Sequence, residues 1–229
     1  LDDEAREIDL TYRDQDTAEV TYSADWQNNR QKVEVKVVKK EKDSDRVLEG
    51  AVFALCVKDD ITGADGKVIL KADTVIEELA TDKEGKLTFT ADLPIDFAYY
   101  IKETSPAPGF ATTDETQEFT FEYGGAEKEK VFYAFTFEDE PTVIEITKTS
   151  LTDGKELEGA KLQVTDESGK VVDSWTSGKE AHIIKELVVG QKYTLTETKP
   201  ADGYVTAESI TFTVEDTAKS QKIEMKDDV

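Results

Sequence analysis

Two sets of three ionisable residues stand inside apolar stretches of this chain, in the same order and at closely matched spacing. Lys39 closes the alternating run Val33, Val35, Val37, Glu103 ends Tyr99-Tyr100-Ile101-Lys102-Glu103, and Asp139 follows Phe137. Lys148, Glu197 and Asp227 repeat the set, after Ile144 and Ile146, at the end of Tyr193-Thr194-Leu195-Thr196-Glu197, and after Met225. Each lysine precedes a Leu-Glu-Gly-Ala box by nine residues, and each glutamate lies seven residues before the aromatic of Gly109-Phe110 or Gly203-Tyr204. Alternate residues of a strand face one side, so each lysine points where its apolar predecessors point. Burial disfavours charge, drawing the proton off an amine and holding it on a carboxyl. A neutral amine beside a neutral carboxylic acid is a nucleophile facing an electrophile. A second, protonated carboxyl can polarise the carbonyl and carry the proton to the leaving group. Fixed side by side, such a pair reaches effective concentrations of roughly 10⁵ M or more. The product is an amide cross-link between side chains, formed once per molecule and without turnover.

The elements that must position these groups read as strands almost throughout. Besides the two lysine-bearing runs, the candidates are Ala51–Val57, Lys86–Ala91, Phe97–Glu103, Thr116–Tyr123, Lys130–Glu138, Lys161–Thr165, Ala181–Ile184, Lys192–Glu197, Ser209–Val214 and Lys222–Lys226. Turn chemistry separates them at Thr62-Gly63, Asp65-Gly66, Glu84-Gly85, Asp153-Gly154 and Ser168-Gly169. Many short strands with glycine-rich turns predict an all-β sandwich or barrel. The repeat divides the chain into one domain over 31–141 and a second over 142–229, joined at Glu140-Pro141-Thr142. A link so short implies a rod of stacked domains. The first is longer through an insertion near 59–79, expected to hold a hairpin and a helical turn around Asp73–Leu79. Residues 1–30 match the start of neither copy and read as closing strands of a truncated preceding domain. The start at Leu1, without Met, points to a piece of a longer protein.

Charge and composition narrow the partners. Over 229 residues, 28 Lys and Arg against 51 Asp and Glu leave a net charge of −23. Such a surface repels nucleic acid and anionic lipid, and no apolar run reaches membrane-spanning length. Cys56 is the only cysteine and His182 the only histidine, which excludes an internal disulfide, a multi-thiolate site and a two-histidine metal site. Neither a metal nor a cofactor is expected. Within Phe53-Ala54-Leu55-Cys56 the cysteine reads as a buried packing residue. Asp59, Asp60 and Asp65-Gly66 lack calcium-loop spacing and read as solvated turn acids. His182 reads as a surface residue, and Trp26 and Trp175 as partly buried anchors. Asparagine occurs only at Asn28 and Asn29, outside both sets, so an amide cross-link between a lysine and a carboxyl of either set would release water.

These residues resemble a known family. The box Tyr193-Thr194-Leu195-Thr196-Glu197 through Pro200-Ala201-Asp202-Gly203-Tyr204, with Lys148 and Leu157-Glu158-Gly159-Ala160 before it and Ile223-Glu224-Met225-Lys226-Asp227 after it, is similar to the collagen-adhesin B-type repeat of Gram-positive surface proteins and pilins. Lys39, Glu103 and Asp139 match in the first copy, and the resemblance covers residues 31 to 229. It implies tandem Ig-like, prealbumin-type β-sandwiches. It further implies Lys39–Asp139 and Lys148–Asp227 isopeptide cross-links, with Glu103 and Glu197 as proton shuttles. Asp228 is an alternative to Asp227, but Asp227 is in phase with Ile223 and Met225.

The expected function is a stalk or spacer of an extracellular, cell-wall-anchored adhesin, a monomer whose partners are neighbouring repeat domains of the same chain. The competing reading is a module that binds host matrix protein or glycan through the 59–79 insertion. A pilin shaft is a narrower variant, although neither a pilin lysine in Tyr-Pro-Lys context nor a Leu-Pro-x-Thr-Gly anchor is visible.

Overall fold

The computed structural model describes residues 7, 15, 30–125 and 127–228, and the fold is all-β. Apart from Glu7, Gln15 and Arg30, the stretch read as remnant strands of a preceding domain lies outside the described residues, and so does Trp26.

The first nine strands are β1 (Lys32–Glu41), β2 (Val52–Val57), β3 (Ile61–Thr62), β4 (Val68–Leu70), β5 (Val75–Ala80), β6 (Lys86–Phe89), β7 (Ala98–Ser105), β8 (Thr116–Thr120) and β9 (Lys130–Asp139). A three-stranded sheet in the order β6-β1-β9 covers a four-stranded one, β5-β2-β7-β8, while β3 and β4 form a separate hairpin. The remaining strands are β10 (Val143–Ser150), β11 (Lys161–Asp166), β12 (Val171–Thr176), β13 (His182–Lys185), β14 (Lys192–Lys199), β15 (Ile210–Thr213) and β16 (Gln221–Asp227). They repeat the plan, β13-β10-β16 over β12-β11-β14-β15.

Period-two patterning sets what each sheet buries. On β1 the inward residues Val33, Val35, Val37 and Lys39 meet Phe53, Leu55, Tyr99 and Ile101 of the opposite sheet in one core. Ile144 and Ile146 face Leu162, Val164, Tyr193 and Leu195 in the other. Cys56 is buried on β2, where burial pushes its thiol up from its ordinary value. Each opening strand runs parallel to the closing strand of its own half, β1 beside β9 and β10 beside β16. The remaining named pairings are antiparallel.

The segment between Cys56 and Lys86 departs from expectation. Asp73–Leu79 is not helical: Asp73 turns the chain at φ 63°, and β5 then pairs with β2. Its β-branched start, Val75-Ile76, suits a pleated edge better than a helix. Strand β5 has its counterpart in β12, which pairs with β11 in the same way. What the second half lacks is only the β3–β4 hairpin.

Between the halves, Glu140-Pro141-Thr142 is clamped from both sides. Thr142 is fully buried, donating from its N–H to Gly109 O (3.0 Å) and from its hydroxyl to Leu187 O (2.7 Å). Glu186 N donates to Thr142 O (3.1 Å), and Arg46 holds the Glu186 carboxylate with two hydrogen bonds of 2.6 and 2.9 Å. Asp216 accepts from both the N–H and the hydroxyl of Thr112, at 2.8 and 2.7 Å.

Candidate functional site

Each triad is assembled from three strands. Lys39 lies near the end of β1, Glu103 on β7 across the core, and Asp139 is the last residue of β9. In the parallel register Lys39 sits opposite Phe137, so Asp139 lies two residues further along and its carboxyl reaches back to the lysine. Lys148 likewise sits opposite Met225, two residues before Asp227. Lys39 Nζ donates to Asp139 Oδ1, and Lys148 Nζ to Asp227 Oδ1, in direct contact. Glu103 Oε1 and Glu197 Oε1 each lie 3.0 Å from their lysine nitrogen. All six side chains are essentially inaccessible to solvent, whereas Asp228 is exposed.

Neighbouring backbone explains the motifs around the triads. Leu48 N donates to Lys39 O (3.0 Å) and Leu157 N to Lys148 O (2.8 Å), so each Leu-Glu-Gly-Ala box is tied to its own lysine. Gly50 and Gly159 turn that box at φ 86° and 92°, a region that favours glycine. Buried hydroxyls close it: Thr81 Oγ1 accepts from Ala51 N and Ser177 Oγ from Ala160 N, both at 3.0 Å. After the glutamate, the proline-glycine-aromatic loop returns a backbone N–H to it. Thr113 N donates to Glu103 Oε2 (2.9 Å) and Ala207 N to Glu197 Oε2 (2.8 Å). With Oε2 held, Oε1 must face the lysine. The Thr113, Ala207, Thr81 and Ser177 contributions were not anticipated from sequence. For Thr113 and Ala207 the available signal was equal spacing, ten residues after each glutamate.

The electrostatics favour protons on Glu103, Asp139 and Asp227. Burial pushes Glu103 up to about 7 against the pull of Lys39, with Asp139 adding to the rise. Burial likewise raises Asp139 and Asp227 above their ordinary value, against their lysines. Glu103 Oε1, Asp139 Oδ2, Glu197 Oε1 and Asp227 Oδ2 are buried and accept no well-formed hydrogen bond. Leaving such atoms unsatisfied costs about 1–3 kcal/mol each, and more where they are ionised. A carboxyl proton in each triad lowers that cost, and the lysine nitrogen already stands against the aspartate carboxyl to which an amide bond would run.

The family model described as the SpaA prealbumin-like fold domain matches this chain twice, over residues 33–133 and 142–229. The chain belongs to that family. Its matches are tandem copies on the two sandwiches. None of the curated proteins matches the chain. Among solved structures, the Bacillus anthracis TIE protein is 25% identical with a TM-score of 0.53, covering 87% of this chain and 35% of its own. The chain thus spans about a third of that relative's length. The shaft pilin SpaA of Lactobacillus rhamnosus GG is 17% identical over 86% of this chain and 97% of its own, with a TM-score of 0.37. A streptococcal ancillary pilin is 23% identical over 87% and 63%, with a TM-score of 0.37.

Other candidates take structural places. His182 stacks on Trp175 at 4.1 Å between ring centroids and meets Asp173 through Nε2 at 2.8 Å, so it is half-buried and not a simple surface residue. Trp175 packs against the second core. The 59–79 segment carries exposed Val68, Ile69 and Val75 but no aromatic residue. Among the described residues, no helix is long and apolar enough to cross a membrane.

Proposed function

We propose that this chain is a load-bearing stalk segment of a Gram-positive surface protein, each domain locked by a self-formed isopeptide bond. The observation that carries the reading is the lysine–aspartate contact, buried beside a glutamate and built twice with the same geometry. The lysine lone pair attacks Cγ of the neutral aspartic acid. The nitrogen loses a proton, the tetrahedral carbon expels its hydroxyl as water, and the glutamic acid relays the proton between them. Net loss is one water per bond, with no other reactant.

Placement of the bonds supports a mechanical role. Because β1 and β9 are parallel neighbours, a pull entering at Lys32 and leaving after Asp139 would shear them apart. A bond from Lys39 to Asp139 lets that load bypass the chain between. The same holds from Val143 to Asp227 through Lys148. The absence of aromatic residues from the 59–79 segment gives the ligand-binding alternative no specific support there.

Intact mass of the purified chain tests the proposal. Expected is a deficit of two waters, with Glu103→Ala and Glu197→Ala each restoring one. A chain of full sequence mass sinks the mechanism.

A further inference from the structure

Three consecutive residues of the first domain, Ala111, Thr112 and Thr113, reach both acids of the first triad and the second domain at once. Ala111 N donates to the carbonyl of Glu140, the residue after Asp139 (3.0 Å). Thr113 N donates to Glu103 Oε2 (2.9 Å). Between them Thr112 is held from across the joint. Its N–H donates to Asp216 Oδ1 (2.8 Å) and its hydroxyl to Asp216 Oδ2 (2.7 Å). Asp216 lies between β15 and β16, so a residue of the second sandwich grips the stretch that shapes the triad of the first.

That stretch runs between β7 and β8, outside any strand, and Thr112 and Thr113 are only half-buried. No ladder orders it, so its position depends on individual hydrogen bonds. With Thr112 released, the Thr113 N–H is free to leave Glu103, the carboxyl can rotate, and Oε1 is no longer fixed toward Lys39. A displacement of about 1 Å in a reacting group costs up to roughly 100-fold in rate. Asp216 is also felt at the reacting acid: burial raises Asp139, and the Asp216 carboxylate adds to that rise. Its own domain's triad stands elsewhere. Gln221, at the start of β16, pairs with Ile144, whereas Asp227 pairs with Ser150 at the other end of the same strand.

We propose that Asp216 is a positioning residue for the Lys39–Asp139 cross-link, holding Thr112 so that Ala111 and Thr113 fix the two acids around the lysine. The first bond then closes at full speed only when the second domain is docked. This requirement rests on the cross-link proposed above and adds a contribution from the neighbouring domain. Asp216 takes no part in the covalent step, whose balance stays at one water lost.

Bond-resolved kinetics test it. The full chain is synthesised into denaturant, refolded, quenched at intervals and digested. Peptides joined through Lys39–Asp139 and through Lys148–Asp227 are then quantified separately by mass spectrometry. Expected for Asp216→Ala is first-bond formation slower by about tenfold, the size of a lost hydrogen bond to a charged acceptor, with the second bond forming at its unaltered rate. Asp216→Asn, which keeps an acceptor for the Thr112 N–H, should recover most of that loss. Equal first-bond rates in Asp216→Ala and the unaltered chain overturn the proposal. So does a slowing of both bonds together, or one that Asp216→Asn fails to recover. If the unaltered chain yields no Lys39–Asp139 peptide at all, the cross-link itself is lost for that domain, and the role of Asp216 with it.

Discussion

In each triad the glutamate has its two oxygens committed differently, one to a backbone N–H and one to the lysine, and in the proposed mechanism the proton on Glu103 decides whether the pair beside it can react. A neutral amine with two neutral acids carries the same protons as an ammonium, one carboxylate and one acid. Both arrangements need one proton beyond the bare ion pair, and Glu103, raised to about 7, holds it below that pH. Its folded value lies above the ordinary 4.5, so the stability it contributes is fully present below 4.5 and is lost as pH rises through about 7. Chains synthesised into denaturant and then refolded should close the first bond more slowly as pH rises through about 7. Time-resolved intact mass reads this, and a pH-independent rate would remove Glu103 from the proton path. The triad residues themselves were legible in the sequence, because a charged residue in phase with apolar neighbours is conspicuous and here occurs twice. Thr113 and Ala207 were not, because they act through backbone N–H groups that any residue but proline supplies.

At the scale of elements, β1 and β10 were readable from alternation alone, whereas β5 and β12 were not. Both lie at sheet edges with mostly exposed or half-buried residues, so burial writes only a weak pattern on them. The helical turn expected around Asp73–Leu79 does contain good helix formers in Glu77-Glu78-Leu79, but pairing with β2 overrides that preference. The clamp on the interdomain link was hidden for another reason: Arg46 and Glu186 are 140 residues apart, and no local pattern announces a contact at that distance. Its chemistry makes a prediction. The Arg46 guanidinium holds the Glu186 carboxyl below its ordinary 4.5, so the joint gains stability above that value and loses it as pH falls through the lowered one. Both side chains are more than a third exposed, so the pair is worth well under about 1 kcal/mol and screens with salt. Acid or high salt should thus soften the joint slightly. Gly109→Ala should disrupt it outright, since a Cβ there meets Glu186 backbone. Domain alignment in solution measures both, and an unchanged alignment in Gly109→Ala would show that the close approach does not set the geometry.

For the whole molecule, the proposed bonds convert two sandwiches without disulfides into a chain that cannot be fully extended. The loops they close span 100 and 79 residues, and on the chain-entropy argument each closure is worth about 4–5 kcal/mol. For a domain of this size that corresponds to roughly 20 °C or more in melting temperature, so Glu197→Ala should melt that far below the intact second domain. Pulling gives a sharper readout. Load entering β1 would pass through Lys39 to Asp139, along the clamped link into β10, and through Lys148 to Asp227, leaving the residues between each pair unloaded. In a single-molecule pull the intact chain should show no unfolding step from either loop. Glu103→Ala should add one of at most roughly 340 Å and Glu197→Ala one of at most roughly 270 Å, from about 3.4 Å per extended residue. Two steps of those lengths in the unaltered chain would mean that the triads hold their domains only as ion pairs, and the chain would then resist force through strand pairing and core packing alone.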